Sequence, residues 1–395
     1  MNKKTIRDIP VRGRRIFVRV DFNVPVDAAG RITNDARIKA ALPTIQYLIA
    51  NGAKLILASH FGRPKGQVAE KYSLASVGVC LQKLLGVKVT LAPDCIGSEV
   101  QSLVDQLADG QVLLLENVRF HAEEEKNDPE FARQLASLAE VYVNDAFGAA
   151  HRAHASTAGI AQYLPAVAGF LMEKEVCITS QALEDPKRPF VTIIGGAKIS
   201  DKIGVIRHLT AIVDALIIGG GMANTFLRAQ GNATGKSLVE EDKVDLAGEL
   251  LREAQEQGVE ILLPVDVVVA KEITDTAPSR TVKLSGIAPD EMILDIGPES
   301  VAVYASHIAA AKTIIWNGPM GVFETPQFAS GTQGVARAVA ACPGTTIVGG
   351  GDTVTAVEQV GLGAQYTHVS TGGGASLEFI EGKVLPGVAA LADKD

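Results

Sequence analysis

The chain has 395 residues, of which 47% are hydrophobic and 21% charged, and a formal net charge of −8 at pH 7. This is the composition of an ordinary globular protein long enough for two or three domains. Without a basic run or an aromatic-rich basic stripe, so acidic a chain argues against nucleic acid as a partner. No apolar run reaches the length of a membrane span, and the opening MNKKTIRDIP has no apolar segment of a secretory signal. The expected setting is the cytoplasm, away from membranes. The charge is uneven: residues 1–174 sum to +3 and the remainder to −11, so the first half is better suited to a small anion. Cys80, Cys95, Cys177 and Cys342 lie far apart with no C-x-x-C pair, and read as reduced thiols rather than a disulfide framework or a zinc site.

A first series of strands and helices runs to about residue 170. Strands are expected at Ile16–Val20, Lys54–Ala58, Val112–Leu115 and Val141–Val143. Helical stretches separate them at 36–49, where Pro43 should kink or divide the helix, at Leu74–Leu85 and at Pro129–Leu138. Such alternation implies a parallel sheet with right-handed crossovers, whose ligands bind beyond the carboxyl ends of the strands. Each of the four strands empties into a polar loop. These loops carry Asp21 and Asn23, then His60 and Arg63, then Arg119, then His151, Arg152 and His154; Arg37 opens the first helix. One arginine is ordinarily a solvated charge, but four converging at one sheet edge imply a small polyanion held by bidentate guanidinium groups. His151 and His154 lack the further ligands of a standard zinc spacing. Glu123-Glu124-Glu125 reads as a solvated face.

A helix is expected over Leu171–Leu183, ended by EDPKRP at 184–189, where a domain boundary falls. A second series follows, with strands at Phe190–Ile194, Ala215–Ile218, Ile261–Leu263, Thr313–Trp316, Thr345–Val348 and Thr367–Ser370. Five of these six strands end in glycine, which suits a ligand approached by backbone, as a nucleotide polyphosphate is. At Gly349-Gly350-Gly351-Asp352-Thr353 a strand turns into a helix. A carboxylate at such a phosphate seat calls for a divalent cation between the two, and magnesium is its natural partner. Lys198 and Lys202, four apart, would share one helix face toward the same phosphates. Gly231-Asn232-Ala233-Thr234-Gly235-Lys236-Ser237 imitates a P-loop but has three residues rather than four between its glycines, and it follows a helix-like stretch. It is read as a surface loop.

These residues resemble the phosphoglycerate kinase family along essentially the whole chain. The resemblance rests on RVDFNVP at 19–25, SHFGRP at 59–64, ENVRF at 116–120, HRAHAS at 151–156, GGAKISDK at 195–202, WNGPMGVFE at 316–324, GGGDT at 349–353 and TGGGAS at 371–376. It implies two doubly wound, Rossmann-like α/β domains joined by a helix, with a cleft between them. Residues 1–170 would form the 3-phosphoglycerate domain, 171–185 the interdomain helix and 186–380 the nucleotide domain, with 381–395 a tail packing back on the first. The implied reaction is reversible phosphoryl transfer from 1,3-bisphosphoglycerate to Mg-ADP, after closure of the domains, in a glycolytic monomer.

The resemblance also assigns residues. Asp21, Asn23, Arg37, His60, Arg63, Arg119 and Arg152 would hold the glycerate substrate. Lys198, Lys202, Glu324, Gly350, Gly351, Asp352 and Thr353 would hold the nucleotide, with Glu324 on the ribose hydroxyls and Asp352 at magnesium. Lys198, Arg37, Gly372 and Gly373 would stabilise the moving phosphoryl. Two rivals are weaker. A two-lobed anion-binding protein would commonly carry an export signal. A dehydrogenase would need G-x-G-x-x-G, which none of the glycine loops spells.

Overall fold

In the computed structural model, which describes residues 2–394, strand runs such as IFVR and LILA are buried on both faces. Parallel strands covered by helices on each side require such continuous apolar runs rather than alternating ones. The chain divides into two compact units. The first runs to Cys177 and resumes at Val384; the second is Ile178–Lys383. The division falls inside one helix, Phe170–Glu184.

The first unit is built on β1 (Arg15–Arg19), β2 (Lys54–Ala58), β3 (Val89–Leu91), β4 (Val112–Leu114), β5 (Val141–Asn144) and β6 (Ala166–Ala168). All are parallel, in the order β3-β4-β2-β1-β5-β6. The chain winds outward from β1 to one edge, then returns to the other side of it. That reversal places the ends of β1, β2 and β5 at a topological switch point. Pro43 does not divide the first helix, which is continuous over Ala36–Ala50. Ile38 and Ala41 before the proline and Ile45 and Leu48 after it are buried in one core. That packing outweighs the single hydrogen bond the proline removes.

The second unit repeats the plan with β7 (Phe190–Ile194), β8 (Ala215–Ile218), β9 (Glu260–Leu262), β13 (Thr313–Asn317), β14 (Thr345–Gly349) and β15 (His368–Val369). Their order is β15-β14-β13-β7-β8-β9, again all parallel. Its switch point lies between β7 and β13. The second unit also holds an antiparallel sheet not expected from the sequence, of β10 (Asp266–Ala270), β11 (Ser279–Lys283) and β12 (Met292–Ile296), in the order β11-β10-β12. Among the described residues, no helix is long and apolar enough to cross a membrane.

The C-terminal segment belongs to the first unit. Gly387 N–H donates to Ala150 O at 2.8 Å, Asn144 Nδ2 to Gly387 O at 3.1 Å, and Lys4 N–H to Ala392 O at 2.8 Å. Asp145, at the end of β5, caps the Phe170–Glu184 helix: its Oδ1 accepts from Leu171 N–H at 2.9 Å and Met172 N–H at 3.2 Å. A Cβ at Gly169 would run into this carboxylate. Its buried Oδ2 has no hydrogen-bond partner, and burial raises its pKa from 3.8 to about 6.

A carboxyl whose folded value is raised contributes stability below pH 3.8, and that contribution is lost as pH rises through about 6. At 1.36 kcal/mol per decade, the interval corresponds to about 3 kcal/mol. Asp145→Asn retains one acceptor for the cap and cannot ionise. We expect its stability relative to wild type to increase between pH 5 and pH 8 by about 1.4 kcal/mol, the share of the interval that lies between pH 5 and about 6. Urea unfolding at the two pH values checks this, and a parallel pH dependence for both proteins would refute it.

Candidate functional site

In the first unit the polar loops are tied to one another by side chains. Asp21 Oδ1 accepts from Asn23 N–H at 3.1 Å, and Asp21 Oδ2 accepts from Arg37 NH1 at 2.9 Å. Asn23 Oδ1 accepts from Gly62 N–H at 2.9 Å, joining the loops after β1 and β2. Arg119 NH1 donates to Gly62 O at 2.9 Å, which brings in the loop after β4. Buried Asn117 completes the join, accepting from Phe61 and Arg119 N–H and donating to Phe61 O and Tyr72 O.

His60 is buried against this group. Desolvation first, then the charges of Arg19, Arg119, Arg37 and His154, hold its pKa well below 6.5. Desolvation also lowers Arg119, with Arg19 and Arg152 adding to the effect against Glu125. His154 falls to about 3, by burial and then by Arg119, Arg19 and Arg152. His60 therefore lies within electrostatic reach of Arg37 and Arg119, and Arg119 of Arg152, beside Asp21 and Asn23. Arg63 stands exposed on the loop that carries His60.

Three participants were not legible in the sequence. Arg19, the last residue of β1, lies inside the expected strand 16–20 with nothing to single it out, and it is wholly buried. Ser156 sits inside HRAHAS with no signal of its own. Glu124 was read as part of a solvated face and is instead fully buried. Of the three glutamates only Glu124 turns inward, where both its oxygens accept from Ser156; Glu123 and Glu125 are exposed.

In the second unit the glycine loops fold onto one another through backbone. Gly195 N–H donates to Asn317 O at 2.9 Å, Gly196 to Pro319 O at 3.1 Å and Gly220 to Met320 O at 2.9 Å. Gly220 has φ +70°, and a Cβ there would stand 2.6 Å from Gly196 O and 2.9 Å from Pro319 O. Only glycine permits both the angle and the approach. These loops and β12 line an open cavity of about 330 Å³. Its walls are mainly apolar (Leu238, Ile273, Met292, Leu294, Val322), with Glu324 and Asp352 also lining it. Asp295, also in the wall, is raised to about 7 by burial, and its oxygens accept from Ile296 and Gly331 N–H.

Gly350, at φ +92°, precedes the helix Gly351–Val360, with Asp352 exposed in its first turn. Buried Thr353 accepts from Gly318 N–H at 2.6 Å. Lys202 donates to Asn317 Oδ1. Its pKa is lowered to about 8 by burial, which the carboxylates of Asp201 and Asp352 oppose. Asn317, overlooked in the sequence inside WNGPMGVFE, also buries an Nδ2 with no hydrogen-bond partner. The shared helix face expected of Lys198 and Lys202 does not form, because the helix starts only at Ile203. Lys198 is exposed, and its charge acts on Glu240. Gly372 N–H donates to Ser370 Oγ at 3.1 Å, and Gly373 has φ +53° just before the helix Gly374–Ile380.

The P-loop imitation is pinned elsewhere. Lys236 N–H donates to Glu291 O at 2.7 Å, Ser237 Oγ accepts from Ile293 N–H at 2.8 Å, and the Lys236 side chain is exposed. Lys236→Ala is expected to keep turnover within about threefold, the scale of an exposed charge. A thousandfold loss in steady-state kinetics would identify this loop as the phosphate site.

Comparison with known proteins bears on the whole chain. The family model described as phosphoglycerate kinase matches residues 6–383. The chain is 61% identical to the phosphoglycerate kinase of Moorella thermoacetica and 57% identical to that of Pelotomaculum thermopropionicum, each over the full length of both chains. Its fold is similar to the solved structure of phosphoglycerate kinase from Coxiella burnetii, at TM-score 0.89 and 44% identity over 98% of each chain. The corresponding structure from Pyrococcus horikoshii gives 0.87 and 34%, again over 98% of each. The chain belongs to the phosphoglycerate kinase family.

Proposed function

We propose that the residues of the two units divide between them the reaction of this family, the reversible transfer of a phosphoryl group from 1,3-bisphosphoglycerate to ADP. Asp21, Asn23, Arg37, His60, Arg63, Arg119 and Arg152 hold the glycerate substrate on the first unit. Lys198, Lys202, Glu324, Gly350, Gly351, Asp352 and Thr353 hold the nucleotide on the second. The observation that carries this reading is the pairing of a cation-rich, hydrogen-bonded loop cluster in one unit with an apolar, glycine-walled cavity in the other. The first suits a small polyanion and the second a base with its phosphates.

Within this reading the cavity takes the adenosine and Glu324 accepts from the ribose hydroxyls. Lys202 and the Gly350–Thr353 helix start face the phosphates, where helix dipole and bare N–H groups favour anions. The residues present fit magnesium, which is commonly bound by one or two carboxylates plus substrate phosphates. Asp352 supplies such a carboxylate, exposed beside the cavity, and the ion would neutralise phosphate charge. The substrate carboxylate is already a nucleophile, so no residue needs to act as base, and positioning with charge stabilisation carries the rate. Arg37, Lys198 and the N–H groups of Gly372 and Gly373 stabilise the phosphoryl in flight. Since the two groups of residues stand on separate units, transfer requires them to be brought together with water excluded. The chain works in the cytoplasm as a monomer.

The test is binding measured one ligand at a time. Calorimetry with 3-phosphoglycerate should respond to Arg63→Ala and Arg152→Ala but not to Glu324→Gln, and with Mg-ADP the reverse. Loss of both affinities in every variant would overturn the division.

A further inference from the structure

Two fully buried charges of the first unit, Arg19 and Glu124, lie behind the substrate loops. Arg19 is 0% exposed and makes three contacts: Nε with Ser156 Oγ at 2.8 Å, NH1 with Val20 O at 2.6 Å and NH2 with His60 Nδ1 at 3.2 Å. A guanidinium has donors and no acceptor, and it does not lose its charge in a protein. Every one of those contacts therefore has a fixed direction. Ser156 Oγ, already accepting, has one hydrogen left, and it faces Glu124 Oε1 at 2.5 Å. Glu124 Oε2 accepts from Ser156 N–H at 2.9 Å. Burial raises the Glu124 pKa, and Arg19, the two Ser156 hydrogen bonds and Arg119 oppose that rise; with both oxygens accepting, Glu124 carries the negative charge that balances Arg19 through the serine hydroxyl. Tyr142 OH, donating to Ser156 O at 2.9 Å, steadies that bridge.

We propose that the Glu124–Ser156–Arg19 chain is a positioning device for His60, fixing it as the neutral imidazole that carries its proton on Nε2. The reason is directional. Arg19 can only donate to Nδ1, so Nδ1 must present its lone pair and the ring proton must sit on the other nitrogen. A doubly protonated ring would set two donors against each other in a buried space. The other charged and titratable groups facing His60 act in the same sense or lie further off. Arg37, Arg119 and His154 disfavour the charged ring. Asp21 Oδ1, which would favour it, stands 4.0 Å from Nδ1 and is already engaged by Asn23 N–H. Arg19 does not touch the ligand; it acts through His60. His60 then offers the substrate one N–H donor of fixed direction, and the arginines supply the charge. That last step rests on the proposed role of His60 at the substrate; the tautomer does not.

The experiment is nitrogen NMR of the full chain labelled with ¹⁵N-histidine, without ligand, at pH 7. His60 is assigned by its loss in His60→Gln. The expected wild-type spectrum has a pyridine-like Nδ1 and a pyrrole-like Nε2; a proton on Nδ1, or a doubly protonated ring, overturns the proposal. Arg19→Met with Glu124→Gln removes both charges together, so neither is left unpaired. In this double variant His60 should become a mixture of tautomers, and KM for 3-phosphoglycerate should rise about five- to tenfold, the scale of one hydrogen bond, with kcat within about twofold. Unchanged tautomer in the folded double variant overturns the proposal. Mixed tautomers with unchanged KM support the lock and overturn the placement of His60 at the substrate. If the double variant does not fold, the wild-type spectrum alone decides the tautomer.

Discussion

Arg37→Ala is expected to lower kcat by about a hundred- to a thousandfold while raising KM for 3-phosphoglycerate far less. In the proposed site Arg63, Arg119 and Arg152 share the substrate's charge in the ground state, so one missing cation is partly compensated. During transfer, charge on the phosphoryl and carboxylate oxygens is redistributed, and a fixed guanidinium near that path meets the transition state more strongly than the substrate. Losing one preorganised donor of this kind costs roughly 3–4 kcal/mol. The structure adds a second cost. Arg37 is ion-paired to Asp21 at 2.9 Å, and Asp21 is only 8% exposed. Removing the arginine leaves a bare carboxylate beside an anionic ligand. Part of any rise in KM therefore comes from Asp21, and adding Asp21→Asn should recover that part without recovering kcat. Arg63→Ala, which on our proposal meets the substrate's phosphate away from the reacting carboxylate, should show the opposite split, a raised KM with kcat nearly kept. Unchanged kcat in Arg37→Ala would make it a binding residue like the other arginines.

Asp352→Asn is expected to lower turnover with Mg-ATP by about a hundredfold, on the order of 3 kcal/mol, while leaving the affinity for 3-phosphoglycerate within about twofold. The effect follows from replacing the carboxylate that would hold the cation by an amide, when such an ion contributes several kcal/mol of charge stabilisation. The structure gives the variant a second signature. Asp352 helps keep the Lys202 pKa from falling below about 8. Without it Lys202 loses its proton at lower pH, so the alkaline limb of kcat/KM for the nucleotide, which reports the free enzyme, should shift to lower pH. Kinetics at varied magnesium and pH, with a separate titration of 3-phosphoglycerate, check both. Equal loss of both affinities would count against the assignment of Asp352 to the nucleotide alone.

Periodicity was enough for the parallel architecture, because parallel strands are buried on both faces and leave near-continuous apolar runs. IFVRV at 16–20, KLILA at 54–58 and FVTII at 190–194 could be placed to within a residue or two. The loop motifs were legible for a related reason: a strand that stops at glycine or at a cluster of arginines has little other use for them. Short or exposed strands gave no such signal. β3 is a three-residue strand with no fully buried residue, β6 is the short run AVA, and β11 is mostly exposed. The cavity wall was invisible for a different reason: β12 lines it together with loops distant in sequence. Pro43 broke its local rule without breaking the helix, because burial on both sides outweighed one missing hydrogen bond.

The sharpest divide is at the charged residues. Which cations sit at strand ends is a matter of order along the chain, and the sequence by itself determined it. Whether a charge faces water or is buried depends on partners far away in sequence, and only the tertiary structure decided that. Arg19 and Ser156 are 137 positions apart and Glu124 and Ser156 are 32 apart. Glu124 reads as solvated beside Glu123 and Glu125 because like neighbours suggest one face. A four-residue helix, Ala122–Glu125, turns that one residue inward, onto the serine that joins it to a buried arginine.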